Sequence, residues 1–77
     1  MRDKVKLIMS QIFGINPTDI PEDASPDTIL AWDSPTHLNL IMALEEEFAV
    51  RFTDEQMVEM LNLDLIVETI KEIFPEN

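Results

Sequence analysis

The sequence predicts an all-α fold: a small four-helix bundle with three longer helices, a short third helix and a long loop between the first two. Apolar residues recur three and four positions apart over most of the chain, and the alternation typical of strands is absent. Three prolines fall within one early segment, where they interrupt any helical period. At 77 residues, the chain is expected to form a single domain over residues 1–77.

The first helix is predicted from Arg2 to Phe13. Its apolar residues follow the i, i+3, i+4, i+7 spacing of an amphipathic helix, with Val5, Ile8, Met9 and Ile12 on one side. Gly14 is the only glycine of the chain, and it is expected to end this helix in a left-handed cap.

Residues 15–33 are predicted to form a loop, because prolines and turn-forming side chains leave no helical period there. A loop of nearly twenty residues is usually functional in a compact domain unless its own apolar residues hold it down. Trp32 is expected to be a packing anchor at the end of the loop. The other expected anchors are its aliphatic residues Ile15, Ile20, Ile29 and Leu30.

The second helix is predicted to run from Ser34 to about Phe48, with Ser34 as its N-cap and Pro35 at its first position. At about 100° per residue, one side faces the core and carries Leu40, Ile41, Leu44 and Phe48. His37 falls on the same stripe and is expected to be half-buried near the loop.

Leu38 and Met42 lie on the outer arc of this helix, together with Ser34, Glu45 and Glu46. Scattered exposed apolar residues are common in proteins, but an apolar pair among carboxylates beside a helix N-terminus is also typical of a docking surface. The chain contains no Lys or Arg between Leu7 and Val50. Such a one-signed surface would attract a basic partner.

Thr53 and Gln56 have the spacing of a capping box, which predicts a short third helix ending near Met60 or Leu61. Asn62 is predicted to cap the fourth helix, which is expected to stop before Pro75. The apolar stripe of that helix comprises Leu63, Ile66, Val67, Ile70, Ile73 and Phe74.

The composition excludes several classes of function. With 16 acidic and 5 basic residues, the formal net charge is −11, which argues against binding to nucleic acid or to anionic membranes. The chain has no cysteine, so it has no disulfide and no thiol nucleophile of its own. No secretory signal or membrane-spanning stretch is recognisable, and a soluble, cytoplasmic monomer is expected.

Two patterns resemble sites without meeting their chemical requirements. Asp33, Ser34 and His37 are the residue types of a hydrolytic triad, but the chain lacks a glycine-rich elbow and the size to build an oxyanion hole. Asp23, Ser25 and Asp27 begin like a calcium loop, although the glycine and the final glutamate of that loop are missing. No catalytic residue and no metal site are predicted.

The residues around Ser34 resemble those of the acyl carrier proteins. Trp32-Asp33-Ser34 is similar to the family's Asp-Ser-Leu motif, and residues 38–48 are similar to its second helix, which ends in an acidic run and a phenylalanine. Residues 51–55 and Asn62-Leu63 resemble the family's entries to helices three and four, so the similarity covers nearly the whole chain.

This resemblance implies a free-standing, non-enzymatic carrier in fatty acid, polyketide or related lipid biosynthesis. Ser34 would bear a 4′-phosphopantetheine arm through a phosphodiester, and the terminal thiol of the arm would hold acyl groups as thioesters. Asp33 would belong to the motif recognised by a phosphopantetheinyl transferase. Further partners would be acyl-transferring and condensing enzymes with basic surfaces, docking on the partner face formed by Leu38, Met42, Glu45 and Glu46.

Pro35 stands where the family usually has leucine, and Thr36 and Asn39 occupy positions that are often acidic in the carriers of fatty acid synthesis. These differences favour a dedicated carrier for a specialised pathway. An aminoacyl or peptidyl carrier, using the same arm, remains an alternative. A different class, an unmodified acidic helical module that only binds proteins, also remains open. The cargo is not encoded here, because its choice lies in the partner enzymes.

Overall fold

The computed structural model describes residues 1–73 and leaves residues 74–77 outside the description. It contains four α-helices, named here α1 (Arg2–Phe13), α2 (Ser34–Phe48), α3 (Asp54–Glu59) and α4 (Leu63–Ile73), and a 3₁₀ turn at Pro17–Asp19. Residues 1–73 contain no strand, and the predicted all-α class is confirmed. None of the helices described is long and apolar enough to cross a membrane. The predicted roles of Phe74 and Pro75 at the end of α4 lie outside the described residues.

The helices surround one apolar core, and α1, α2 and α4 bury residues of the stripes that their periodicity predicts. Val5, Ile8, Met9 and Phe13 of α1 are buried, and Gly14 ends this helix at φ 69° with its amide bonded to the Ser10 carbonyl oxygen. The largest fully buried side chains are Val5, Met9, Leu40, Ile41, Leu44, Met60, Leu63, Ile66 and Ile70.

The long loop is held to the core by fewer of its apolar residues than expected. Ile20, Ile29 and Trp32 are buried as predicted, and Ile15 packs against the core from its edge. The prediction for Leu30 was wrong, because this side chain is fully exposed. In the turn that ends the loop, the Trp32 amide donates to the Ile29 carbonyl oxygen at 3.1 Å. This turn directs the side chains of Ile29 and Trp32 inward and that of Leu30 into solvent.

The N-cap of α2 is Asp33, so the prediction that Ser34 caps this helix was wrong. The backbone of Asp33 is extended, and its Oδ1 accepts a hydrogen bond from the Thr36 amide at 3.0 Å. Ser34 is the first residue inside the helix and Pro35 the second. Both aspartate and serine are good caps, but the charged carboxylate makes the stronger bond to a helix amide.

The caps of α3 and α4 are the ones that the sequence predicts. Thr53 Oγ1 accepts from the Gln56 amide at 3.1 Å while Gln56 Oε1 accepts from the Thr53 amide at 2.8 Å, so the predicted capping box is confirmed. Asn62 Oδ1 accepts from the Leu65 amide at 2.8 Å at the start of α4. The Leu63 amide donates to the Ala24 carbonyl oxygen, which joins α4 to the long loop.

Ion pairs fasten the long loop to α1 and α4. Arg2 pairs with both Glu22 of the loop and Asp64 of α4, and Lys6 pairs with Glu22 as well. The hydrogen bonds from Lys6 and then from Arg2 lower the pKa of Glu22. Each of these exposed pairs contributes little to stability, but together they bring two basic side chains of α1 to one acidic residue of the loop.

We expect self-repulsion to limit the stability of this domain, because its net charge is −11 and most carboxylates of residues 1–73 have no basic partner. Sodium chloride or millimolar magnesium should therefore raise the melting temperature. Mild acidification should raise it too, as the repelling carboxylates become neutral. Melting curves recorded by circular dichroism test this, and a melting temperature that is the same under all three conditions would contradict it.

Stronger acid should lower the melting temperature again. Hydrogen bonds lower the pKa values of Glu22 and Asp33 in the folded protein. The stability that these bonds contribute is therefore fully present at pH values above the ordinary carboxyl pKa. It is lost as the pH falls through the lowered values. The melting temperature at low salt is therefore expected to pass through a maximum and to decline below about pH 4.

Candidate functional site

Ser34 is exposed at the N-terminus of α2, directly after the buried Trp32 and the capping Asp33. An open groove of about 410 Å³ begins beside it. The groove is bounded by the loop, the first turns of α2 and the link between α3 and α4, with Pro26, Trp32, Asp33, Ser34, His37, Leu38 and Leu61 along its walls. The sequence-predicted residues Asp33, Ser34 and Leu38 are thus brought together at one end of the molecule.

The N-terminus of α2 is already partly occupied by its own cap. Hydrogen bonds from the side chain and then the backbone amide of Thr36 lower the pKa of Asp33, which is therefore charged at neutral pH. Pro35 has no amide hydrogen. Among the first three helical residues, only the Ser34 amide is neither missing nor engaged by the Asp33 cap. An attached group would be held here by its covalent bond more than by a cradle of amides.

His37 makes two hydrogen bonds that the sequence did not suggest. Its Nδ1 lies 2.9 Å from Trp32 Nε1, and its Nε2 lies 2.9 Å from the carbonyl oxygen of Met57 in α3. The side chain is half-buried, as predicted. Because both ring nitrogens are engaged away from Ser34, this histidine is not poised to accept a proton from the Ser34 hydroxyl. The geometry argues against the hydrolytic triad that the residue types suggest.

The four residues predicted to form the partner face differ in solvent exposure and in hydrogen bonding. Leu38 and Met42 are 56% and 64% exposed, and Glu46 is also exposed. Glu45 is half-buried, and its Oε2 accepts a hydrogen bond from the Phe52 amide at 2.9 Å. Glu45 therefore also secures the turn between α2 and α3. This role depends on a contact between residues seven positions apart, which helical periodicity does not reveal.

Further apolar side chains lie exposed in the groove wall and on α3. Leu61, which lines the groove, and Val58 of α3 are 53% and 70% exposed. Sequence reasoning missed them, since Val58 belongs to a very short helix and Leu61 to the link that follows it, where no period indicates which side chains are exposed. Among residues 1–73, no group of three or more potential metal-ligating side chains is found.

Comparison with known proteins shows what the chain is similar to in sequence. No protein-family model matches it. An acyl carrier protein from Clostridium acetobutylicum is 38% identical to it over 69 residues, which is 90% of each of the two chains.

Proposed function

The chain belongs to the acyl carrier protein family, and we propose that it carries acyl groups as thioesters on a 4′-phosphopantetheine arm attached to Ser34. One observation carries this proposal: the Ser34 hydroxyl is exposed at the start of α2, next to an ionised aspartate and an apolar-walled groove. Such a hydroxyl is open to another enzyme, and the helix dipole at this position favours an added phosphate.

Attachment of the arm is a transfer from coenzyme A carried out by a separate transferase. The Ser34 oxygen attacks the pyrophosphate phosphorus that bears pantetheine, and a new oxygen–phosphorus bond forms. The bond from that phosphorus to the bridging oxygen breaks, adenosine 3′,5′-bisphosphate leaves, and the hydroxyl proton passes to a base. Asp33, one residue before Ser34 and ionised, is the residue we assign to recognition by this transferase.

The arm supplies chemistry that the chain lacks. The sequence contains no cysteine, whereas the terminal thiol of phosphopantetheine forms thioesters and reaches the active sites of other enzymes. This carrier then has no catalytic task of its own. We place it in the cytoplasm, in fatty acid, polyketide or related lipid biosynthesis, and Pro35, Thr36 and Asn39 favour a specialised pathway.

The partners we propose are a phosphopantetheinyl transferase and acyl-transferring and condensing enzymes with basic surfaces. The exposed Leu38 and Met42 offer apolar contacts, with Glu46 beside them. Lys and Arg are absent from the sequence between Leu7 and Val50. Basic partners would therefore be steered toward this side of the molecule at low salt.

The test of the proposed function is loading of the wild-type protein. The chain is incubated with coenzyme A, magnesium and a broad-specificity transferase, and its intact mass is measured. We expect a gain equal to one phosphopantetheine group. If no mass is gained, Pro35→Leu restores the residue usual in the family and should restore transfer; failure of both proteins would favour an unmodified binding module.

Glu46→Lys is predicted to slow loading by up to about fivefold at low salt, the effect of losing one exposed charge pair with a basic partner. The variant should also show a weaker dependence of the rate on salt, because less attraction remains to be screened. Loading rates measured at several salt concentrations provide the test. Equal rates for wild type and variant at low salt would remove Glu46 from the partner face.

Glu45→Ala tests the neighbouring carboxylate. We expect this variant mainly to lower the stability of the fold. It removes the acceptor of the Phe52 amide, which should cost about 1 kcal/mol of unfolding free energy. Urea denaturation of Glu45→Ala and Glu46→Ala measures the difference. If both variants were equally stable, the bond to Phe52 would have no energetic role.

A further inference from the structure

A line of packed and hydrogen-bonded side chains joins three helices and the loop end beside the attachment site. The rings of Phe13 in α1 and Trp32 in the loop lie 5.3 Å apart between centroids. Trp32 Nε1 is 2.9 Å from His37 Nδ1, and His37 Nε2 is 2.9 Å from the Met57 carbonyl oxygen. His37 of α2 therefore links the end of the loop to α3 by two hydrogen bonds.

The donors and acceptors in this line define the state of the imidazole. An indole nitrogen only donates, so His37 Nδ1 accepts from Trp32 and carries no hydrogen. The single ring hydrogen is then on Nε2, which donates to the Met57 carbonyl oxygen. Neutral imidazole makes both bonds at once because its acceptor and its donor are fixed in one rigid ring.

The bond to Met57 matters because α3 has few other ties to α2. The backbones of α1 and α2 run close together, whereas α3 approaches α2 less closely. A helix of six residues has little stability of its own. The hydrogen bond from His37 therefore contributes to the position of α3 and of Leu61, which follows this helix and forms part of the groove wall.

The bond to Trp32 acts on the other side of the groove. Asp33 and Ser34 directly follow Trp32, so an indole held by His37 and Phe13 also restrains the backbone that presents the cap and the hydroxyl. We propose that His37 is a positioning residue of the attachment site, holding Asp33, Ser34 and the groove walls in the arrangement that the loading transferase recognises. This inference rests on the proposed function of Ser34.

Four variants separate the two hydrogen bonds of His37. His37→Leu removes both, and Trp32→Phe removes the indole donor while keeping an aromatic ring. His37→Asn places an amide near the former Nδ1 and can still accept from Trp32. His37→Gln places its amide near the former Nε2 and can still donate to the Met57 carbonyl oxygen.

A merely structural role would lower stability without a particular effect on loading, so the control is a core variant far from the groove. Ile70→Val removes one methylene from a fully buried residue of α4. Each protein is loaded with coenzyme A and a broad-specificity transferase at a temperature where all are folded. The readouts are kcat and KM for the carrier and, in every protein except Trp32→Phe, the proton and nitrogen-15 resonances of the Trp32 indole, the only tryptophan of the chain.

For His37→Leu, which loses both hydrogen bonds, we expect kcat/KM to fall by about tenfold, mainly through a higher KM. Its Trp32 indole proton should move upfield, as expected when the bond to an imidazole is lost. His37→Asn and His37→Gln should give intermediate values of kcat/KM, and Ile70→Val should load like wild type. Trp32→Phe should resemble His37→Gln in its kinetics, because both variants lose the bond to the indole and keep the bond to the Met57 carbonyl oxygen.

The proposal is wrong if wild type loads but His37→Leu and Trp32→Phe load within twofold of it, or if Ile70→Val loses as much kcat/KM as they do. Should His37→Leu fail to fold, the same comparison is made with Trp32→Phe and His37→Gln against Ile70→Val. A wild-type protein that gains no arm, alone or as Pro35→Leu, contradicts the proposed function instead, so the two failures are distinguishable.

Discussion

Replacement of Ser34 by alanine is expected to abolish loading completely while leaving the fold unchanged. The alanine methyl group has no oxygen with which to attack the pyrophosphate of coenzyme A, so transfer should fall to zero. The fold should tolerate the change because Ser34 is exposed and Asp33 caps α2. A surface substitution of this kind changes the unfolding free energy by about 0.5 kcal/mol or less.

Asp33→Ala is the matched variant, since it removes the cap and keeps the hydroxyl. It should cost about 0.5–2 kcal/mol of unfolding free energy, the usual value of an N-cap. The two variants and wild type are compared by intact mass after incubation with coenzyme A, magnesium and transferase, and by urea denaturation. We expect Ser34→Ala to be stable and unloaded, and Asp33→Ala to be less stable.

A folded Ser34→Ala variant that still gained the arm would move the attachment site elsewhere. The other serines of the chain are poor candidates. Ser10 is buried, and its hydroxyl donates to the Leu7 carbonyl oxygen. Ser25 is half-buried, and its hydroxyl accepts from the Asp27 amide. If Ser34→Ala and Asp33→Ala lost equal stability, Ser34 would share the capping of α2 with Asp33.

Replacement of Trp32 by alanine is expected to have the largest effect on stability. This side chain is only 3% exposed and packs against the Phe13 ring, so its removal should cost about 3–5 kcal/mol. Small domains have total stabilities at the lower end of about 5–15 kcal/mol, and this one is further weakened by its charge. The variant should therefore be substantially unfolded at low salt, and high salt should restore part of its structure.

Leu30→Ala provides the control for Trp32→Ala, because Leu30 lies in the same loop and is fully exposed. Its unfolding free energy should stay within about 0.5 kcal/mol of wild type. Urea denaturation followed by circular dichroism measures both variants without relying on tryptophan fluorescence. If Leu30→Ala were the more damaging change, the loop would be anchored differently from the arrangement described here.

The helices and most of their ends are predictable from the order of residues alone. The bounds of α1 and α2 follow from apolar residues three and four positions apart and from Gly14. The capping box at Thr53 and Gln56 and the Asn62 cap involve residues three positions apart. These features are local, so the order of residues is enough to predict them. The resemblance around Ser34 likewise lies in one continuous segment.

The contacts that hold the segments between the helices depend on how the whole chain packs. Asp33 and Ser34 are both chemically suitable caps for α2, and the extended backbone at the loop end, together with the stronger bond of a carboxylate, makes Asp33 the cap. The same turn decided that Ile29 is buried and Leu30 exposed. In an irregular segment no period relates position to direction, so an apolar side chain does not reveal which way it points.

The hydrogen bonds of Glu45 to Phe52 and of His37 to Trp32 and Met57 also depend on the tertiary structure. Each joins two elements whose relative placement is set by packing of the whole core. A polar side chain on a helix has several possible partners of the same chemistry, and sequence spacing does not choose among them. The partner that it finds is the one that the packed helices bring within hydrogen-bonding distance, where an unpaired buried polar group would be costly.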